Sequence, residues 1–237
     1  MYDDSHEYLK FLLERHVFIN TEKFGENDLI EGPVVNPDQD WDKIANEYES
    51  NRYAVVDNFL LPIYAKRLQE FKLFLNLRHH IYKDYASLTY SRKPNYLWFG
   101  LLSNIVDESK KHFSFLHEKV FERSWSFIYE NESDGVAVHA DRASTNLNFW
   151  VTPDESMNLK EGFNGLDIWK VFPPADWNYD EYNGSVEKTE AFVADHADKK
   201  VSIDYKFNRL IIFDSMFFHK SQPVSSKPGY ENRRINY

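Results

Sequence analysis

Cysteine is absent from the 237 residues. That absence removes disulfide frameworks, thiolate zinc sites and cysteine nucleophiles together, so any metal must be held by histidine and carboxylate. Net positive charge is lacking as well. The formal charge of −10 at pH 7 offers no global field for phosphate backbones, and non-specific nucleic-acid binding is disfavoured. No apolar run approaches the ~20 residues that span a bilayer, and the first residues carry Asp3, Asp4 and Glu7 where a secretion signal would be basic and then apolar. These features predict a soluble, cytoplasmic protein. Internal repeats and low-complexity linkers are missing too, and the length suits one domain spanning 1–237.

What is present divides the chain by the period of its apolar residues. Residues 1–123 are mostly helical in pattern: Tyr8, Phe11 and Leu12 mark one short amphipathic helix, and Tyr64, Leu68, Phe71 and Leu75 mark another. A strand over 53–57 lies between them, Pro62 suits the first turn of the second helix, and a third helix is expected over 109–122. From residue 124 to 237 short strands take over, at 124–129, 135–139, 145–151, 165–171, 200–205, 208–214, 217–220 and 232–237, with turn residues between them. About eight short strands after a helical section predict a mainly β (α+β) fold, a double-sheet jelly roll with helices packed on one outer face. The long irregular stretch 173–199, rich in acids and aromatics, reads as a lid loop over the site.

Candidate chemistry sits in the strand half. His139 and Asp141 close the alternating stretch from Gly135, and on a strand residues i and i+2 point to the same side. A second copy of the tripeptide, His196 to Asp198, lies in a wholly polar run and reads as surface. His219 follows later in a Phe217-Phe218-His219 strand. Two imidazoles and one carboxylate fill one face of an Fe(II) octahedron and leave three adjacent positions open. An acid cosubstrate at such a centre needs an anchor for its distal carboxylate, which a guanidinium supplies bidentately. On the last strand Arg234 and Asn236 share one face, while Arg233, Ile235 and Tyr237 share the other. The polar pair suits a polar interior and favours Arg234, but a register slip of one residue would substitute Arg233. Asn146, Asn148 and Trp150 likewise share a face, so Asn148 is a candidate for the cosubstrate, and Tyr129 is a candidate pocket tyrosine. Asp214 and Ser215 are placed to orient His219.

His139-x-Asp141, then His219, then an arginine 14 or 15 positions later on the next strand, resembles the Fe(II)/2-oxoglutarate-dependent dioxygenase superfamily. The resemblance covers the strand half, and the helical half is compatible with the phytanoyl- and prolyl-hydroxylase-like branches. It implies a double-stranded β-helix, with His139, Asp141 and His219 as iron ligands and Arg234 or Arg233 on the 2-oxoglutarate C5 carboxylate. It also implies Fe(II) as cofactor, 2-oxoglutarate and O2 as cosubstrates, and hydroxylation of a C–H bond in a small-molecule substrate. Asn236 stands where the family commonly has serine. Two other readings compete: a cupin-like metalloenzyme that uses the same triad without 2-oxoglutarate, and a jelly-roll binding module whose Trp177 and Tyr182 would stack on a ligand ring.

Overall fold

The computed structural model describes residue 30 and residues 32–75, 78–91 and 100–237. The helix expected around Tyr8, Phe11 and Leu12 lies outside the described residues. Helix α1, Trp41–Asn51, is started by Asp40, whose carboxylate accepts from the Lys43 amide at 3.0 Å. Such a cap contributes about 1 kcal/mol. It buries Trp41, Ile44 and Tyr48, one stripe at helical spacing, and ends at Arg52 in the left-handed conformation (φ 62°). Strand β1, Tyr53–Val56, leads to α2, Pro62–Phe74, which has proline in its first turn and buries Tyr64, Leu68 and Phe71.

Two departures from the expected helical half follow. A hairpin of β2, His80–Ile81, and β3, Tyr85–Tyr90, lies inside it. Its alternation is masked in the sequence because both faces carry apolar or aromatic residues. The third helix is α3, Gly100–His112, and not 109–122; a single 3-10 turn at Ser114–Leu116 follows it. Leu101, Leu102, Ile105 and Ser109 form its buried stripe, and Lys110, Lys111 and His112 complement its C-terminal dipole.

The strand half supplies β4, Ser124–Tyr129, β5, Glu132–Ser133, β6, Asn146–Phe149, and β7, Leu166–Trp169. Helix α4, Val186–Ala194, is followed by β8, Lys200–Ile203, β9, Leu210–Phe213, β10, Phe218–Ser221, β11, Val224–Ser225, and β12, Ile235–Asn236. The strand expected over 135–139 is not regular; only His139 bridges, to His219. Gly135 is the reason. Its φ is +78°, and a Cβ there would lie 2.9 Å from Ser221 Cβ, so glycine both breaks the strand and lets the segment lie against β10.

One sheet has the order β1-β9-β6, and the Trp150–Asn236 bridge joins it to β12-β4-β3-β2. Facing it are β10-β7-β8 and the β11-β5 pair. Side chains of both layers meet between them, among them Tyr129, Trp150, Ile211 and Phe213 from the first and Leu166, Ile168, Ile203 and Val224 from the second. The outer face of the first sheet carries Leu88, Ile128, Phe149, Leu210, Ile212 and Ile235 against Tyr48, Leu68 and Ile105 of α1, α2 and α3. Each fully buried Leu or Ile there stabilises the fold by about 1.5–3 kcal/mol. Helices are not confined to that face. Val193 of α4 packs with Val138, Ala140, Trp169 and Phe218 on the far side of the second sheet, because those outward positions are apolar and need a cover. The stretch 173–199 therefore holds α4, a π-turn at Asp180–Gly184 and a 3-10 turn at Ala197–Lys199.

Candidate metal centre

His139, Asp141 and His219 meet between the two sheets, with their ligating atoms all within 4.8 Å of one another. His139 Nε2 lies 3.8 Å from Asp141 Oδ1, and His219 Nε2 lies 3.6 Å from Asp141 Oδ2. Cis donors on a first-row metal, each about 2.1 Å from it, stand about 3 Å apart. Both imidazole–carboxylate separations are within an ångström of that spacing. Both rings are aimed in the same way: His139 Nδ1 donates to Ala137 O at 2.8 Å and His219 Nδ1 to Phe217 O at 2.9 Å, which leaves each Nε2 lone pair free for a metal. The antiparallel bridge, with amide bonds of 3.0 and 2.8 Å between residues 139 and 219, sets the rings 4.3 Å apart.

Burial and the neighbouring His219 lower the His139 pKa to about 4, against the pull of Asp141. Its imidazole is neutral and able to ligate at physiological pH. Burial by itself would raise the Asp141 pKa, but the nearby His219 and His139 rings and a hydrogen bond from Asn146 outweigh it and hold the carboxyl below its ordinary value.

The carboxylate is held from three sides. Asn146 Nδ2 donates to Asp141 Oδ2 at 2.7 Å, and Ser215 Oγ donates to Asn146 Oδ1 at 2.9 Å. The Asp141 amide donates to Ser215 O at 2.8 Å. From the other edge, Asn183 Nδ2 donates to Ala140 O at 2.8 Å and stands 3.5 Å from Asp141 Oδ1. The Ala140 amide donates to Tyr182 O at 2.9 Å, and Thr189 Oγ1 donates to Val138 O at 3.0 Å. Asn183 and Thr189 gave no signal in the sequence, since only the packing of α4 and its preceding turn brings them to residue 140. Asp214 does not orient His219: its carboxylate pairs with Arg52 at 2.6 Å and accepts from the Met216 amide, and the Phe217 carbonyl does the orienting instead.

Arg234 lies in the same interior, fully buried, its guanidinium 4.8 Å from the Tyr129 ring and 5.5 Å from the Trp150 ring. Burial lowers its pKa, with Tyr129 and Tyr205 opposing. Among the described residues no hydrogen-bond acceptor meets its Nε, Nη1 or Nη2. An uncompensated buried guanidinium costs several kcal/mol, so these donors call for an anion. A carboxylate fits their planar fork. Arg233 points outward and pairs with Glu130, which places the two arginines on opposite faces. Asn148 Oδ1, Trp150 Nε1 and Asn236 Oδ1 are also buried without partners, whereas the Tyr129 hydroxyl meets Ser221 Oγ at 3.2 Å. His196 is remote from the triad in its contacts, its Nδ1 bonded to Phe192 O at 2.8 Å. Tyr182 is buried, and Trp177 packs on Phe192 and Phe218, so neither forms an open stacking platform.

No family model and no curated protein matches the chain. Solved structures share its fold. A prolyl-4-hydroxylase from Pseudomonas putida aligns with a TM-score of 0.53 at 9% identity, over 83% of this chain and 95% of that one. A 2-oxoglutarate–Fe(II) oxygenase family oxidoreductase from Burkholderia pseudomallei aligns with a TM-score of 0.52 at 9% identity, over 84% and 88%. HygX from Streptomyces hygroscopicus, solved with nickel and 2-oxoglutarate bound, aligns with a TM-score of 0.52 at 5% identity, over 82% and 84%. The chain has the fold of the 2-oxoglutarate–Fe(II) oxygenases.

Proposed function

We propose that this chain, built on the oxygenase fold, is a non-haem Fe(II)/2-oxoglutarate-dependent oxygenase that hydroxylates a C–H bond of a small-molecule substrate. In this reading the facing sheets are a double-stranded β-helix and the chain acts as one cytoplasmic domain. One observation carries it: His219 of the triad packs edge-on against Phe213 at 4.8 Å, and the unpartnered Arg234 guanidinium lies over Tyr129 and Trp150, rings of the same buried cluster. A metal-only cupin chemistry gives no account of the buried arginine, and a ring-stacking module gives none of the triad.

His139, Asp141 and His219 would hold Fe(II), and Arg234 would hold the distal carboxylate of 2-oxoglutarate. Bound there, the iron and its cosubstrate supply the oxidising power for the C–H bond, with O2 consumed and succinate and CO2 released. The chain's residues do the rest. The Ala137 and Phe217 carbonyls keep both imidazoles in the ligating tautomer, and Asn146 with Ser215 keeps Asp141 ionised and oriented. The Tyr129 and Trp150 rings wall the anchor and keep water from it, which strengthens the guanidinium–carboxylate contact. Asn148 and Asn236 line the same interior and offer amides to the cosubstrate. Residues 173–181 serve as the cover: burial, and after it the Asp141 charge, raises the Tyr179 pKa, while the chain beyond is fastened to Ala140 and Val138.

Anaerobic loading with Fe(II) and 2-oxoglutarate, followed by exposure to O2 with pools of small molecules, tests the proposal through succinate release. Substrate-stimulated release that needs 2-oxoglutarate is the expected result. Turnover that persists without 2-oxoglutarate would move the chain to the metal-only alternative.

A further inference from the structure

Behind the triad, on the outer face of the second sheet, lies a groove of about 300 Å³ between that sheet and α4. Alternation places it there. His219 points inward, so Lys220 points outward; its partner strand turns Ile168 inward and Trp169 outward. Val138, Trp169 and Val193 are the buried floor, Glu190 and Ala194 form the helix side, and Lys200 and Lys220 form the sheet side.

The charges around this apolar floor are unevenly matched. Lys200 Nζ lies 2.8 Å from Asp167 Oδ2, and Asp167 Oδ1 accepts from Ser202 Oγ at 2.8 Å and Gln222 Nε2 at 2.9 Å. Asp167 is thereby fully engaged. Lys220 Nζ stands 6.0 Å from the Trp169 ring centroid, with Lys200 Nζ 5.5 Å from the same ring, and among the described residues no carboxylate oxygen lies within 4.0 Å of Lys220 Nζ. Two ammonium groups thus flank one indole while a single carboxylate serves them on the sheet side. Glu190 is across the groove on the helix.

We infer that this groove is a second ligand site, for a small amphipathic carboxylate whose apolar body lies on Val138, Val193 and Ala194 and whose anionic end meets Lys220. The volume suits a ligand of metabolite size. The same groove touches the immediate neighbours of both candidate histidine ligands, Val138 before His139 and Lys220 after His219, and the helix whose Thr189 fastens Val138 O. The bound carboxylate is therefore an effector of the candidate metal centre.

Octanoate is the probe, titrated calorimetrically into the full chain. One saturable site is expected, with octan-1-ol binding about tenfold or more weakly because it lacks the charge. Lys220→Glu should weaken octanoate by about tenfold or more, and Ala194→Trp, an exposed position that fills the groove, should abolish binding with the fold intact by circular dichroism. Glu190→Gln should bind as well as wild type or better. Absence of saturable binding, or binding indifferent to both Lys220→Glu and Ala194→Trp, would overturn the site. Loss of binding in Arg234→Ala with Lys220→Glu unaffected would put octanoate in the interior and overturn it equally. For the effector role, Ni(II) and octanoate should change each other's affinity by one common factor, about twofold or more; independent binding would refute that role.

Discussion

Asn146 donates to Asp141 Oδ2 at 2.7 Å, the shorter of two amide contacts to this carboxylate, the other being Asn183 Nδ2 at 3.5 Å from Oδ1. The Asn146 carbonyl is pinned by Ser215. Replacing Asn146 with Ala should free the carboxylate to rotate and weaken Fe(II) or Ni(II) binding by about 10–100-fold, the usual cost of losing a group that orients a ligand. Metal titration monitored by calorimetry checks this without reference to turnover. Unchanged affinity would mean that Asn183 and the backbone bond of Asp141 suffice to hold the carboxylate.

Ala substitutions at His139 or Asp141 should abolish tight Fe(II) binding while the fold survives, because both side chains are partly exposed and contribute little packing. His196→Ala is the matched control. It should bind iron as wild type does, and equal iron affinity in Asp141→Ala and wild type would remove the triad from consideration.

The two arginines separate cleanly. Arg234→Ala should raise the apparent KM for 2-oxoglutarate by about two orders of magnitude, since a desolvated charge-assisted fork is worth roughly 2–4 kcal/mol. Iron affinity should barely move. Arg233→Ala breaks the outward pair with Glu130 and the contact with the Tyr230 ring, and its KM is expected to match wild type within about twofold, as for a surface ion pair.

Lys72 on α2 is fully buried, with Nζ donating to Ser126 O at 3.2 Å, and burial, with the nearby Arg78 charge, pushes its pKa well below the ordinary 10.5. The unfolded chain therefore binds this proton more readily than the folded one. Stability gains as pH rises toward the unfolded-state pKa, and the penalty grows as pH falls below it. Lys72→Met should remove that slope and raise stability at pH 7 by about 1–3 kcal/mol. Urea melts of both chains at pH 7 and 9 measure it; a larger gap between the two at pH 9 than at pH 7 would contradict the sign.

Residues 173–181 and 182–194 should differ in hydrogen exchange. The second group, fastened through Tyr182, Asn183 and Thr189, is expected to be protected at all times, and the first to gain protection only when substrate is bound. Trp177→Ala should then uncouple turnover, consuming 2-oxoglutarate without matching product. Full protection of 173–181 before substrate, with coupling intact in the variant, would make the stretch plain scaffold.

Much of the site could be read from spacing alone. His139, Asp141 and His219 stand out as residue types able to chelate, and Arg234 separates from Arg233 because the last strand alternates. The same alternation places Asn146, Asn148 and Trp150 inside and Leu147, Phe149 and Val151 outside. What was not legible depends on contacts distant in sequence. Asn183 reaches residue 140 across 43 positions, and Thr189 reaches Val138 across 51; neither lies in a motif. The irregularity of 135–138 was hidden for another reason, because Gly135 matters there through a close approach to Ser221 that no local pattern encodes.

The fastening of residues 138–140 from both sides also bears on how the chain keeps to itself. The segment is the last in its layer, where a strand would present free amides and carbonyls to any passing chain. Here the Ala140 amide is taken by Tyr182 O, the Ala140 carbonyl by Asn183 and the Val138 carbonyl by Thr189. A strand from a second molecule finds these three groups already taken, so the residues of the candidate metal centre are shielded from edge-to-edge association by a helix and its turn. Loosening α4 would unveil that border, and aggregation seeded beside the metal would follow.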